Sequence, residues 1–250
     1  MKKTYSLSIA GFDPSAGAGI LADIKTFEAN QVYGLGVCSA LTFQNDFQFE
    51  GVKWISLSEI IRQIEILYRI YQIEVVKIGL VENLKTLGGI IDSILGFNPK
   101  AKIIFDPILK ASAGFNFHDE MNLGTLSDIL QKIYLITPNI PELNRLIIIG
   151  ENTQLKAQKL SEFCSVYLKG GHSESEKAVD ILFYEGQKAF FESSRIKNGE
   201  KHGSGCVLSS AIAANLAKGF DFEKSCEEAK KYIGKFLGST DDLLGYHFNI

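Results

Sequence analysis

This 250-residue chain has no long basic run, no apolar run of membrane length and no paired cysteines. With a formal net charge of −3 and a pI near 5.9, the missing basic run argues against nucleic acid or an anionic membrane as the main partner. No apolar stretch approaches the roughly 20 residues of a spanning helix. The opening "MKKTYSLSIAGFD" carries two lysines, but serines interrupt an apolar stretch already too short for a signal peptide. The four cysteines, Cys38, Cys164, Cys206 and Cys226, indicate neither a zinc site nor a disulfide framework. A cytoplasmic protein is the expectation. The dinucleotide fingerprint and the P-loop with its terminal Lys-Ser/Thr are also missing, which disfavours a Rossmann oxidoreductase.

What the chain does have is 46% hydrophobic and 22% charged residues, enough for a well-packed core. "TYSLSIAG" alternates Tyr5, Leu7 and Ile9 with polar partners, as an opening strand does. The glycine turn "GFDPSAGAG" follows, then a helix whose apolar face is Ile20, Ile24 and Phe27. Further strands are expected at "GVCSALTFQN", "VVKIGL", "AKIIFDPIL", "YLITPNI" and "SVYLKGG". Helices are expected at "SLSEIIRQIEILYRIYQ", with Ser56 and Glu59 at capping-box spacing, and at "LKTLGGIIDSIL", "LSDILQKI" and "PELNRLI". A hairpin should turn near Glu185–Gly186. Two helices close the chain, one from Cys206 and one at "FEKSCEEAKKYIGKFLG". Short apolar strands alternating with helices imply a mostly parallel sheet covered on both faces. No linker or repeat interrupts the pattern, so one domain is expected.

In such sheets ligands bind beyond the carboxyl ends of the strands. Gly11, Asp13, Gln44, Asp106, Asn139, Lys169 and Gly203 to Cys206 all fall there. "GFDPSAGAG" suits a phosphate or a flat substrate, or is an ordinary glycine turn. Asn139 and Glu142 in "TPNIPE" suit the waters of a magnesium ion, or form a capping box; the two roles are compatible. Lys169 suits a phosphate or simply leaves the sheet, and Asp106 faces a metal or starts a turn. His172 and His202 have no partner at metal-ligand spacing and are read as structural or solvated. "HGSGC" before an amphipathic helix is the strongest motif. No acid occupies the helix's first turn, and Cys206 sits at the positive end of the dipole, where a thiol pKa is expected to fall. The other reading of Cys206 is an inert, buried thiol.

Taken in order, "SIAGFDPSAGAGILADIKTF", "SALTFQND", "VKIGL", "DPIL", "ITPNIPE", "LKGGH" and "HGSGCVLSSAIAANLAKG" make the chain resemble the hydroxymethylpyrimidine/phosphomethylpyrimidine kinases of thiamine biosynthesis, within the ribokinase-like superfamily. The likeness covers nearly the whole chain. It implies a three-layer α/β/α sandwich with a mostly parallel central sheet and a small β-hairpin, as a single kinase domain over residues 1–250. The implied activity is ATP-dependent phosphorylation of 4-amino-5-hydroxymethyl-2-methylpyrimidine to the monophosphate and on to the diphosphate. Pyridoxal kinase and a catalytically impaired nucleotide-binding module are the alternatives. By this resemblance Gly203, Ser204, Gly205 and Cys206 form an anion hole in which Cys206 accepts the substrate's hydroxyl proton. Lys169 contacts the ATP phosphates, Asn139 and Glu142 organise Mg²⁺ and its waters, and Asp106 lies nearby. Gly11, Ala18, Asp23, Thr42 and Gln44 correspond to the pyrimidine pocket. A homodimer is also implied. Ser204 replaces the family's usual threonine, "SAGAG" and "DPILKASAG" replace the commoner "SGGAG" and "DPVMVAKSG", and "RIKNGEKHGSGC" lacks the T-x-N-T stretch that often precedes the glycine loop.

Overall fold

A computed structural model describes residues 3–108, 123–148, 152–171, 177–197 and 199–248. Its centre is a nine-stranded sheet formed by β1 (Tyr5–Phe12), β2 (Tyr33–Gln44), β3 (Phe49–Trp54), β4 (Val75–Ile78), β5 (Lys102–Phe105), β6 (Leu135–Ile136), β7 (Ser165–Leu168), β8 (Lys177–Tyr184) and β9 (Gln187–Ser194). The spatial order is β3-β2-β1-β4-β5-β6-β7-β8-β9. From β2 through β7 every neighbouring pair is parallel, whereas β3 and β8 run antiparallel to the strands beside them. The hairpin β8–β9 turns at Glu185 and Gly186, both with positive φ, where the sequence places it.

The helices lie on two faces. On one, α2 (Leu57–Tyr68), α3 (Leu84–Phe97), α4 (Leu123–Leu130), α5 (Ile140–Leu146) and α6 (Thr153–Leu160) pack with Leu7, Ile9, Val76, Ile103 and Ile136. On the other, α1 (Gly19–Ala29), α7 (Ser204–Ala217) and α8 (Phe222–Leu237) pack with Val75, Ile104, Leu135 and Tyr167. Adjacent strand residues such as Val75 and Val76 therefore enter different cores. That is why the central strands read as unbroken apolar runs.

The polar residues that alternate along β1 do not face water. Ser6 and Ser8 are fully buried, and Ser8 points to the α1–α7 face, where its hydroxyl donates to Asp23 at 2.6 Å. Two elements add to the expected set, the edge strand β3 and the helix α6. β3 alternates only weakly and α6 is mostly polar, so neither has a strong apolar period. The capping box at Ser56 and Glu59 is present, as periodicity and spacing predict. No helix among the described residues is long and apolar enough to cross a membrane.

Candidate functional site

One cavity opens at the carboxyl ends of the parallel strands, and two glycine loops meet across its floor. The first loop, after β1, closes on itself through Asp13. That carboxylate accepts hydrogen bonds from Ser15 N and Ser15 Oγ at 2.9 Å and from Ala18 N at 2.9 Å. Burial works against the charge on Asp13, but these bonds and one from His202 hold its carboxyl below the usual range. Gly19 then starts α1 at φ 61°, where a Cβ would stand 2.2 Å from the Gly11 carbonyl oxygen. Only glycine fits there.

The second loop, Gly203 to Cys206, begins α7. Gly203 is its N-cap at φ 72°, and a Cβ there would lie 2.1 Å from Gly17 O. No side chain caps α7 and no acid lies in its first turn; the same holds for α1, whose N-cap is Ala18. Ala18, Gly19 and the whole stretch from Gly203 to Cys206 line the cavity. Two helix N-termini thus present backbone N–H groups and positive dipole ends to one space.

The far wall carries charge. Lys169, just past β7, places Nζ 2.9 Å from Asp106 Oδ1 and 3.6 Å from Glu142 Oε2. Burial disfavours the ammonium, but Asp106 and Glu142 more than compensate and raise its pKa. Asp106 also accepts from Thr137 Oγ1 at 3.0 Å and from Ser209 Oγ at 3.2 Å. Despite its burial, Lys169 and Lys77 keep it ionised, below the usual carboxylate range. Glu142 is pushed up by burial, with Lys169 opposing and Asp106 adding to the rise. A Cβ on Gly205 would come within 3.2 Å of Lys169 Nζ, so glycine there lets the ammonium reach the anion loop. Asn139 and Glu142 form the expected capping box, Asn139 Oδ1 accepting from Glu142 N and Glu142 Oε2 from Asn139 N, both at 2.8 Å.

Among the described residues no group of three or more His, Cys, Asp or Glu surrounds a common metal position. Asp106 and Glu142 do converge on a single cation, the Lys169 ammonium. Two carboxylates against one ammonium leave a net negative charge built of oxygen donors. That donor set fits a magnesium ion that keeps most of its waters.

Gly11, Ala18, Thr42 and Gln44 also line the cavity. Gln44 Nε2 donates to Thr42 Oγ1 at 2.9 Å, and Thr42 Oγ1 donates to Phe12 O at 2.8 Å. Asp23 departs from the expectation. It is fully buried beneath the cavity and does not line it. Its carboxylate is held by Lys77 Nζ at 2.9 and 3.0 Å, Ser8 Oγ at 2.6 Å and Ser210 Oγ at 2.7 Å. A helix residue three positions after Ile20 turns inward here because a buried lysine needs a counter-charge.

Cys206 also departs from the expected electrostatics. It lines the cavity at 6% exposure, but its thiol pKa is pushed up to about 11. Burial is the largest cause; Lys77 and the Gly19 N–H pull it down, and Asp106 and Asp23 add to the rise. The helix N-terminus acts through peptide dipoles of fractional charge, which desolvation and two full carboxylate charges outweigh.

The sequence reading passed over Lys77 and gave His202 no partner. Lys77 is legible in hindsight, since a lysine inside the apolar strand "VVKIGL" must meet a buried acid. His202, read as structural or solvated, is buried and pairs with Asp13 at 2.8 Å. His172 lies outside the described residues.

The chain belongs to the phosphomethylpyrimidine kinase family, whose model matches residues 13–248. A hydroxymethylpyrimidine/phosphomethylpyrimidine kinase of Rhizobium meliloti is 32% identical over 246 residues, 95% of this chain and 92% of that protein. The crystal structure of phosphomethylpyrimidine kinase from Clostridium difficile 630 superposes with a TM-score of 0.78 at 32% identity, over 93% of this chain and 99% of the other. An ADP complex of Bacillus subtilis pyridoxal kinase superposes with a TM-score of 0.86 at 25% identity, over 99% and 98%. The fold is therefore the ribokinase-like α/β sandwich of these kinases.

Proposed function

We propose that this member of the phosphomethylpyrimidine kinase family phosphorylates 4-amino-5-hydroxymethyl-2-methylpyrimidine with ATP, and then phosphorylates the monophosphate to the diphosphate, in thiamine biosynthesis. The observation that carries the reading is the pair of uncapped helix N-termini, at Ala18 and Gly203, opening on one cavity beside Lys169. Anionic groups are bound at such ends, and a kinase must hold phosphate while charge redistributes on it.

In this reading Gln44 and Thr42 meet the pyrimidine edge, with Gly11 and Ala18 allowing the ring to approach the backbone. An amide such as Gln44 offers a donor and an acceptor to an aminopyrimidine. Lys169 contacts the nucleotide phosphates, and the backbone from Gly203 to Cys206 receives the transferring group, so that positioning and charge stabilisation supply most of the catalysis. Asn139, Glu142 and Asp106 would hold magnesium, partly through water. When bound, that ion neutralises phosphate charge.

Cys206 is the proposed proton acceptor. Because its thiol is protonated at neutral pH in the free protein, the base form must be recovered by ligand binding or by raised pH. A single kinase domain over residues 1–250, assembled as a homodimer, completes the reading; sedimentation equilibrium tests the assembly.

Pyridoxal is the second candidate substrate, favoured by the fold match to the Bacillus subtilis pyridoxal kinase. The deciding experiment is a phosphorus-resolved product assay with MgATP and each alcohol in parallel. Mono- and diphosphate of the pyrimidine are expected. Turnover of pyridoxal alone would replace the first reading with the second. Binding of an ATP analogue with no turnover of either alcohol would mark a catalytically impaired module.

A further inference from the structure

His202 Nε2 lies 2.8 Å from Asp13 Oδ2, and both side chains are at least 95% buried. The two residues belong to the two glycine loops, 189 positions apart in the chain. The loops are also in direct van der Waals contact. A Cβ at Gly17 would fall 2.6 Å from His202 Cδ2, and one at Gly203 would fall 2.1 Å from Gly17 O. From the other side the C-terminal segment grips the same stretch. His202 N donates to Leu243 O at 2.9 Å, and Lys201 Nζ donates to Thr240 O at 2.8 Å and to Asp242 O at 2.6 Å.

We propose that His202 is a positioning residue for phosphoryl transfer: its Nε2–H bond to Asp13 ties the turn bordering the alcohol end of the cavity to the Gly203–Cys206 loop that receives the phosphoryl group. The ring works through one nitrogen only. Nδ1 is buried and has no hydrogen-bond partner among the described residues, so the site is built for a donor at Nε2 and for nothing at Nδ1. Asp13 is suited to the task because the bonds from Ser15 and Ala18 already fix its carboxylate. A hydrogen bond to that fixed charge transmits the position of one loop to the other. Each loop is glycine-rich, and neither helix it opens has a side-chain cap. Other bonds link the two elements deeper down, from the Gly19 N–H to Cys206 and from Ser210 Oγ to Asp23, but the His202–Asp13 bond is the side-chain link that joins the residue before Gly203 to the turn after β1.

This inference rests on the kinase reading above, and its test separates the two. The informative pair of variants is His202→Gln and His202→Asn. Glutamine carries its amide nitrogen at about the Nε2 position and keeps the bond to Asp13; asparagine carries it at about the Nδ1 position and loses the bond. Binding of the MgATP analogue AMP-PCP, read by calorimetry, needs no turnover and no assumption about the alcohol. His202→Asn should bind it about tenfold more weakly, because the analogue must then bring the two loops into register out of its own binding free energy, while His202→Gln stays within a factor of about three of the wild type. Under turnover with the pyrimidine, His202→Asn should lose kcat by roughly a hundredfold, the scale of a 1 Å misplacement of reacting groups. The KM for the pyrimidine should change far less. Asparagine equal to or better than glutamine in analogue binding would overturn the clasp. A wild type that binds the analogue but phosphorylates neither alcohol would defeat the kinase reading and leave the binding comparison to decide the clasp.

Discussion

Lys77 Nζ lies 2.9 Å from Asp23 Oδ2, both side chains fully buried, with Ser210 Oγ of α7 donating to Asp23 Oδ1 at 2.7 Å. Ser210 is one helical turn beyond Cys206. The ion pair therefore braces the first turns of α7 from below and is not itself part of the cavity wall. Asp23→Asn strands a buried ammonium and should destabilise the protein by about 3 to 5 kcal/mol, read as a lower urea midpoint. Asp23→Leu combined with Lys77→Met removes both charges and should recover much of the loss. A pocket role for Asp23 predicts the opposite pattern, a raised pyrimidine KM at unchanged stability.

Cys206 yields a pH prediction whose sign follows from burial. With its pKa near 11, the thiol form prevails at neutral pH and the thiolate fraction grows about tenfold per pH unit. If the thiolate is the base, kcat/KM should climb from pH 7 to pH 10 without levelling, because this parameter reports the free enzyme. Alkylation of Cys206 by iodoacetamide, followed by peptide mass, should be slow at pH 7 and rise in parallel. Cys206→Ser should fold, bind MgATP and turn over roughly a hundredfold more slowly. A plateau by pH 9 in both profiles would mean that the helix dipole outweighs desolvation after all, and full activity of the serine variant would remove Cys206 from the chemistry.

Glu142 has two functions that one substitution separates. Glu142→Gln keeps a side-chain acceptor for Asn139 N, and so retains most of the capping box, but removes the negative charge. Thermal stability should stay close to that of the wild type. The magnesium concentration needed for half-maximal rate should rise several-fold, as titration at fixed ATP would reveal. Normal magnesium dependence would reduce Glu142 to a cap.

Gln44 Nε2 is engaged with Thr42 Oγ1, which orients the amide oxygen independently of any ligand. Gln44→Leu should raise the pyrimidine KM by tenfold or more, since a buried polar edge of the ligand would lose its partner, while the KM for ATP stays constant. An unchanged pyrimidine KM would take Gln44 out of the pocket.

Much of this molecule is legible in the sequence. The apolar runs of β4 to β7, the capping boxes at Ser56 and Asn139, the Glu185–Gly186 turn and the glycine entry to α7 are all short-range patterns. Steric and hydrogen-bonding rules set each of them within a few residues. The rule that ligands sit at the carboxyl ends of parallel strands then gathers most of the candidate residues at one place. Gly11, Ala18, Thr42, Gln44, Lys169 and Gly203 to Cys206 do line one cavity.

What the sequence could not express is the company each charge keeps across the sheet. Asp23 has a plausible place in the pocket until Lys77, 54 residues away, draws it under the floor. Cys206 has a helix dipole in its favour locally, but its proton affinity follows burial and the charges of Lys77, Asp106 and Asp23. His202 is unremarkable in its own segment and becomes a link only when Asp13 arrives from the other end of the chain. Local patterns determine backbone shape because their interactions close within a turn or a strand. Desolvation and Coulomb terms depend on everything packed within several ångströms, and which residues those are is decided by the tertiary structure alone.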